Sequence, residues 1–192
     1  MELVDIAEDL FLERGFAETT MQVIAERAGA SKETLYRHFA SKELLFAEIV
    51  SRKASEISGP DAAVMRGGNP ESVLSDLGLG LLRTVLSGKA SCLFRTVVSE
   101  AGRTPKLGEL FYQGGPDLTA RRLADYLQRA AERGELRCDD PTTAARLFLG
   151  AVVSHYHVGC LVRPDWKPPT EKEIRRHVEA AVAMFLARYR PH

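Results

Sequence analysis

Apolar residues recur along most of the chain at intervals of three and four positions, which places them on one face of an α-helix. The first of these stripes consists of Leu3, Ile6, Ala7, Leu10 and Phe11. A later stripe runs from position 174 to position 189. No segment alternates apolar and polar residues as a β-strand does. The pattern therefore predicts an all-α protein of about nine helices.

Capping residues mark where the first helices begin and end. The predicted starts are Thr19 with Gln22, Ser31 and Ser41, and the predicted ends are Gly15 and Gly29. A side-chain oxygen at a helix start accepts a hydrogen bond from a free main-chain N–H, and a glycine after a helix readily adopts positive φ. The first part of the chain should therefore form a compact three-helix head followed by a stem helix.

Glycine and proline interrupt the helical pattern after the stem. The break lies at Gly59-Pro60 and at 67–70. Later helices are predicted to start at Pro70, Ser91, Thr104-Pro105, 114–116, Asp140-Pro141 and Thr170 with Glu173. We therefore predict a helical head over residues 1–48 and a second helical domain over residues 49–192.

Composition narrows the class of protein. With 192 residues, 45% of them hydrophobic, the chain can bury the core of one substantial domain and a small one. No stretch approaches the roughly 20 apolar residues that span a bilayer, and the first five residues lack the features of a signal peptide. Cys92, Cys138 and Cys160 are far apart and form no C-x-x-C pair, which argues against disulfides and zinc. We expect a cytoplasmic protein without membrane contact, metal or cofactor.

The charges are balanced, with 26 basic and 26 acidic residues. Such a balance excludes a protein that coats nucleic acid or membrane through bulk electrostatics. The segment from Met1 to Lys53 contains seven Lys and Arg against ten Asp and Glu. Any DNA binding by the head must therefore come from a few locally placed groups, and the acidic excess counts against it.

Residues 19–43 carry the most informative pattern. Two short helices joined by a glycine-containing turn form the geometry in which the second helix enters a DNA major groove. Leu35 and Phe39 are four positions apart and should face the core of the head. The side chains that then point outward or sideways are Lys32, Glu33, Thr34, Tyr36, Arg37 and His38. Their hydroxyl and cationic groups suit phosphate oxygens and base edges, so the pattern predicts binding to double-stranded DNA.

The stretch from Leu3 to about Val50 resembles the DNA-binding head of the tetracycline-repressor (TetR) family. The resemblance rests on Phe11, Gly15-Phe16, Thr19-Thr20, Ile24-Ala25, Ala28-Gly29, Ser31-Lys32, Thr34-Leu35-Tyr36, His38-Phe39 and Ser41-Lys42-Glu43. It implies an all-helical homodimer with a helix-turn-helix domain over residues 1–48 and a ligand-binding and dimerisation domain over residues 49–192. It assigns phosphate contacts to Thr20, Ser31, Thr34, Tyr36, His38 and Lys42, and base contacts to Lys32, Glu33 and Arg37.

Two features depart from the family pattern. The chain begins almost at the first helix, which puts in doubt the minor-groove contact that many members make with a basic arm. Position 33 is often small in the family, and here it is Glu33. Its carboxylate could accept from a cytosine amino group while Arg37 reads guanine. The alternative is a surface ion pair between Glu33 and Arg37, which are four residues apart.

The part from about Ser72 resembles the AefR-like subset of these regulators. The residues concerned are 94–101, 110–112, Gly134-Glu135-Leu136-Arg137 and Asp139-Asp140-Pro141. This resemblance favours a repressor that is released by a small apolar or aromatic effector. Helical receptor domains line such pockets with apolar and aromatic groups. The candidates are Leu82, Phe94, Phe111, Tyr126, Phe148 and Tyr156, with His155 as a polar anchor, and plain core packing is the alternative for each.

The last two helices are the expected dimer interface. Residues 144–158 are apolar on nearly every side, which indicates burial all round, and the last helix has one apolar stripe. Packed against their two-fold mates, these helices would form a four-helix bundle. A two-fold homodimer would place its two recognition helices on a palindromic operator.

Two other classes of function remain open at the level of sequence. A helical enzyme could use His155, Tyr156 or Cys160, although no nucleophile paired with a base is visible. His155 and His157 are two residues apart and point to different helix faces, which argues against a metal site. A degenerate head that acts through protein contacts is the other alternative, suggested by its acidic balance.

Overall fold

The computed structural model describes residues 3–56, 69–163 and 165–191, and these residues form ten α-helices and one π-helical segment. The helices are α1 (Leu3–Arg14), α2 (Met21–Arg27), α3 (Lys32–His38), α4 (Lys42–Glu56), α5 (Pro70–Val85), α6 (Gly88–Glu100), α7 (Pro105–Tyr112), the π-helix (Gln113–Asp117), α8 (Leu118–Glu132), α9 (Pro141–Val162) and α10 (Glu171–Tyr189). Because α7, the π-helix and α8 are continuous, the described residues contain nine helical runs. The prediction of an all-α chain with about nine helices is confirmed.

The described residues group into two compact units. The first comprises those of Met1–Ala54 and Gly88–Asp117, and the second those of Ser55–Ser87 and Leu118–His192. Helices α6 and α7 therefore pack with the predicted head, although both lie beyond residue 48 in the chain. The functional division at residue 48 stays a prediction, and the break expected at Gly59-Pro60 and Gly67-Gly68 lies outside the described residues.

Three phenylalanines form the centre of the first unit. Phe11 of α1 lies 5.3 Å from Phe16 and 5.7 Å from Phe46 of α4, measured between ring centroids. Leu35 of α3 is fully buried beside them, and Leu107 of α7 is buried in the same core. Full burial of one such side chain contributes about 1.5–3 kcal/mol to the free energy of unfolding. This core holds α3 in place from its inner face.

The core of the second unit lies among α5, α8, α9 and α10. Phe148 of α9 packs edge-on against Phe185 of α10 at 5.5 Å. A Cβ added to Gly78 of α5 would lie only 2.8 Å from Cγ1 of Val178 in α10. The glycine within the helical pattern therefore serves close packing of α5 against α10.

Several predicted helix starts are confirmed, and one is displaced by one residue. Thr170 and Glu173 form a capping box, and Ser31 accepts a hydrogen bond from the N–H of Thr34 at 3.0 Å. The start predicted at Thr19 is wrong, because Thr20 is the N-cap of α2 and accepts from the N–H of Val23. Thr19 is fully buried and donates its hydroxyl to the Gly15 carbonyl at 2.7 Å. The fold therefore uses Thr19 to tie the end of α1 to the approach of α2.

Two other helix starts also differ from the prediction. Helix α6 begins at Gly88, three residues before Ser91. The helix expected to begin at 114–116 instead continues from α7 through the π-helix Gln113–Asp117, which contains Pro116. A π-helical turn inserts extra backbone into a continuous helix, so the glycines and the proline here change the helix type without ending the run.

Helix α9 is not buried all round, contrary to the expectation. Its inner face carries the buried Phe148 and Val152, but Leu147, Val158 and Val162 are 62%, 57% and 69% exposed in the single chain. The expectation of no long apolar stretch also fails, because this helix of 22 residues is long and apolar enough to cross a membrane by length and composition. A helix that packs in a protein core or interface can have the same length and composition. The sequence pattern alone could not distinguish burial by the chain itself from burial by another surface.

Candidate nucleic-acid interface

The turn between α2 and α3 is built by main-chain hydrogen bonds around one glycine. Gly29 has a φ of +63°, a conformation that strains residues with a side chain. The Gly29 N–H donates to the carbonyl of Glu26 at 3.2 Å, and the Ala30 N–H donates to that of Ala25 at 3.0 Å. This pair of bonds is a Schellman motif, which ends α2 and lets Ser31 begin α3 after a very short turn.

Helix α3 presents one apolar side chain to the core and the others outward. Leu35 is fully buried, and Phe39 at the end of the helix is half-buried against the same core. Thr34 is half-buried because its hydroxyl lies 2.8 Å from that of Ser31. The fully exposed side chains of the helix are Lys32, Glu33, Tyr36, Arg37 and His38. The predicted candidates thus share the outer face of one short helix.

The charged groups on this face are available to a partner. Lys32 Nζ lies 5.8 Å from the ring centroid of Tyr36, one turn away. No ion pair of the described residues joins Glu33 to Arg37, so the predicted surface pair between them is not found. Both side chains are exposed, and an ion that keeps its water in the free protein can exchange it for a base edge.

Two hydroxyl groups of the candidate interface cap helices. Thr20 is exposed, and its Oγ1 accepts from the N–H of Val23 at 3.2 Å. Ser31 Oγ accepts from the N–H of Thr34. A hydroxyl that accepts such a bond still has a proton to donate, so each of these groups can also bind an anionic oxygen. The helix starts at Thr20 and Ser31 add main-chain dipoles that favour negative charge nearby.

Lys42 differs from the other candidates because protein groups already surround its ammonium. Lys42 Nζ donates to the carbonyl of Phe16 at 2.6 Å and lies 3.4 Å from the carbonyl of Ala17. It also lies 4.3 Å from the centroid of the Phe16 ring. Burial lowers the pKa of Lys42, and the nearby carboxylates of Glu43, Glu100 and Glu18 act in the opposite direction. The sequence could not show this arrangement, since main-chain carbonyls leave no mark on residue type.

The predicted ligand residues fall into two separate groups. In the second unit Leu82, Tyr126 and Phe148 lie in one buried core. Tyr156 is half-buried with its ring 5.0 Å from that of His177, and His155 is exposed. In the first unit Phe94 and Phe111 stack at 5.4 Å. Within the second unit the structure thus brings together three of the candidates and leaves the proposed anchor, His155, outside their core.

The hydroxyl of Tyr126 is a buried polar group with no hydrogen-bond partner in the structure. Burial raises the pKa of Tyr126 to about 12. A separate cavity of about 170 Å³ lies in the second unit, where Asn69, Glu71, Glu135 and Arg190 are among its lining residues. None of the predicted ligand residues lines that cavity. Among the described residues, no three His, Cys, Asp or Glu side chains are grouped so that they could hold a metal ion.

Comparison with known sequences matches two family models to the chain. The model for bacterial regulatory proteins of the tetR family matches residues 3–49. The model for the C-terminal domain of AefR-like transcriptional repressors matches residues 72–191. Together they cover the candidate interface and most of the remaining helices.

Individual relatives agree with these models. An uncharacterised helix-turn-helix regulator of Mycobacterium bovis is 27% identical over 97% of this chain and 87% of its own length. The regulator AcrR of Shigella flexneri is 25% identical over 96% of this chain and 87% of its own.

Two solved structures share the fold along nearly the whole chain. A TetR-family regulator from Mesorhizobium loti has a TM-score of 0.83 with 28% identity and covers 98% of this chain and 95% of its own. The flavonoid-responsive regulator FrrA has a TM-score of 0.77 with 35% identity and covers 99% and 96% respectively.

Proposed function

The chain belongs to the TetR family of bacterial transcriptional regulators, and from this premise we propose that it is a repressor that binds a palindromic operator as a homodimer and leaves it when a small ligand binds. Family membership makes the chain a transcription regulator and not an enzyme. The observation that carries the proposal is the exposure of α3, where Leu35 alone is fully buried and five polar or charged side chains face outward. In the family this helix enters the major groove.

The exposed residues divide between phosphate and base contacts. We assign phosphate oxygens to the hydroxyl and imidazole groups of Thr20, Ser31, Thr34, Tyr36 and His38. Lys32, Glu33 and Arg37 would meet base edges in the major groove, with Arg37 donating to guanine and Glu33 accepting from cytosine. The absence of an ion pair between Glu33 and Arg37 supports this division, because neither side chain must first break an internal bond.

The exposed apolar residues of α9 and α10 support a homodimer. Leu147, Val158 and Val162 share one stripe of α9, and Met184 of α10 is 61% exposed. Leaving such side chains in water forgoes about 25 cal/mol for each Å² of apolar surface. Two-fold packing of α9 and α10 against their mates would bury the stripe and fix the spacing of two α3 helices on a palindrome.

The effector is proposed to be small and apolar or aromatic. The similar regulator FrrA responds to flavonoids according to its name, which are aromatic compounds. The second-unit candidates Leu82, Tyr126, Phe148 and Tyr156, and Phe94 and Phe111 of the first unit, are the side chains suited to such a compound. The ligand would release the operator only as far as it binds the released state more tightly than the DNA-bound state. A regulator of chromosomal genes acts in the cytoplasm.

The proposal is tested by selection from genomic DNA. Purified protein is mixed with sheared DNA from its source at near-physiological salt, and the bound fragments are sequenced. Enrichment of a palindrome near this gene is expected, and the neighbouring genes would indicate the class of effector. A folded dimer that enriches no sequence would favour the degenerate head suggested by the excess of acidic residues between Met1 and Lys53.

A further inference from the structure

The ammonium of Lys42 joins two segments that are distant in sequence. Lys42 is the first residue of α4, and Phe16 lies in the loop between α1 and α2. The bond of 2.6 Å from Nζ to the Phe16 carbonyl therefore ties this loop to the start of α4. The Phe16 ring that faces the ammonium is 3% exposed and packs 5.6 Å from Phe46, so the anchor on the loop side is rigid.

The loop leads directly to a proposed DNA contact. Thr20, the N-cap of α2, follows Phe16 by four residues. Between them, Thr19 is fully buried and bonded through its hydroxyl to the carbonyls of Leu10 and Gly15. The position of Thr20 thus depends on a short segment held by Thr19 and by Lys42. A shift of this segment would move Thr20 relative to α3, since α2 and α3 pack against each other.

We infer that Lys42 acts on operator binding as a positioning residue, whose ammonium clamps the Phe16–Ala17 loop to α4 and so places the start of α2 beside α3. The inference rests on the proposed operator binding. It differs from the phosphate contact that the family resemblance implies for this position, where the charge itself would supply the affinity. The same lysine can be tested for each role because the two make opposite demands on the side chain.

The geometry suits an ammonium and not a guanidinium. Three N–H groups radiate from one compact nitrogen and reach two carbonyls and a ring face together. Arginine carries its donors in a planar fork on a longer stem, so it keeps the charge but cannot reproduce this clamp. A phosphate contact, by contrast, would be retained or improved by arginine.

The first experiment uses the protein without DNA. Lys42→Met should move the main-chain amide resonances of residues 17–23 in ¹⁵N-resolved NMR spectra. Lys32→Met is the matched control, because Lys32 is exposed on α3 and its ammonium bonds to no carbonyl among the described contacts. Amide resonances of residues 17–23 that stay in place in Lys42→Met would overturn the clamp, whether or not the protein binds an operator.

The second experiment measures affinity for the selected palindrome as a function of salt, at a temperature where every variant is fully folded. Lys42→Arg and Lys42→Met should each weaken binding about tenfold, the effect of losing a charged hydrogen bond. Neither should change the slope of log affinity against log salt, whereas Lys32→Met should lower its magnitude by about 0.9 for each half-site. A Lys42→Arg variant that binds like the wild type, with a lowered slope in Lys42→Met, would establish direct phosphate contact and overturn the inference. If the wild type binds no DNA sequence, operator binding fails while the NMR test of the clamp still stands.

Discussion

Arg37 and Glu33 lie one turn apart on α3, both exposed and without an ion pair between them. If each reads a base, their replacement should change sequence preference and not only affinity. Arg37→Ala should cost about 1–3 kcal/mol on the selected operator and relax the choice at one base pair in each half-site. Binding to a library of single-base operator variants measures this effect.

Glu33→Gln provides the comparison on the same helix. It should alter preference at a different base pair from Arg37→Ala, because a neutral amide can donate where the carboxylate only accepts. Equal losses on every operator variant for both substitutions would contradict the assignment of base contacts and favour contacts to phosphate.

Tyr126 presents a different question at the residue scale, because its hydroxyl is buried and has no partner. An unsatisfied buried hydroxyl costs about 1–3 kcal/mol, so Tyr126→Phe should leave the free energy of unfolding of the ligand-free protein unchanged or raise it. If the hydroxyl anchors the effector, the same substitution should weaken effector binding. Chemical denaturation with and without the effector separates the two outcomes.

The pKa of Tyr126 predicts how stability changes in alkali. Its folded-state pKa of about 12 lies above the ordinary value of 10.0, because burial favours the neutral phenol. The stabilisation is therefore complete below about pH 10 and is lost as the pH rises towards 12, by about 2–3 kcal/mol in total. The difference in unfolding free energy between wild type and Tyr126→Phe, measured from pH 8 to 11, should shift steadily in favour of the variant above pH 10. A constant difference would mean that the phenol is not buried from water.

At the scale of elements, the closest approach described in the second unit is that of α5 to α10 at Gly78 and Val178. Alanine in a helix is favoured over glycine by about 1 kcal/mol, yet here its Cβ would lie 2.8 Å from a methyl of the stiff valine. We expect Gly78→Ala to destabilise the protein, since overpacking typically costs about 1–3 kcal/mol.

A double-mutant cycle with Val178→Ala tests the cause of that loss. Val178→Ala opens space opposite position 78, so the double variant should be more stable than the sum of the single effects predicts, by about 1 kcal/mol or more. Denaturant unfolding of the four proteins gives the coupling energy. A coupling energy near zero would show that the loss arises elsewhere than in the contact with Val178.

At the scale of the whole molecule, the exposed stripe of α9 predicts a dimer. Leu147→Glu with Val158→Glu should give a monomer at micromolar concentration, because burying two unpaired carboxylates in the interface is costly. Operator affinity should fall with it, since a monomer engages one half-site. Sedimentation velocity and operator binding measure the two effects.

Val98→Glu is the control for that experiment. Val98 is 59% exposed on α6, so the same chemical change falls on a different surface. The control should remain a dimer with wild-type operator affinity. A wild-type protein that sediments as a monomer, or a dimer that survives both substitutions in α9, would contradict the proposed interface.

The sequence by itself determined the helices and the outward set on α3. Helical periodicity and capping residues act over a few positions, so Thr170, Ser31 and Leu35 could be interpreted locally, and the same local pattern carried the family resemblance. The tertiary structure decided whatever depended on distant or main-chain partners. Thr19 became a buried tie and Thr20 the cap, the outer face of α9 stayed exposed, and the Lys42 ammonium met the Phe16 carbonyl. Such contacts join residues far apart in the chain or involve backbone atoms common to all residues, and a one-dimensional pattern records neither.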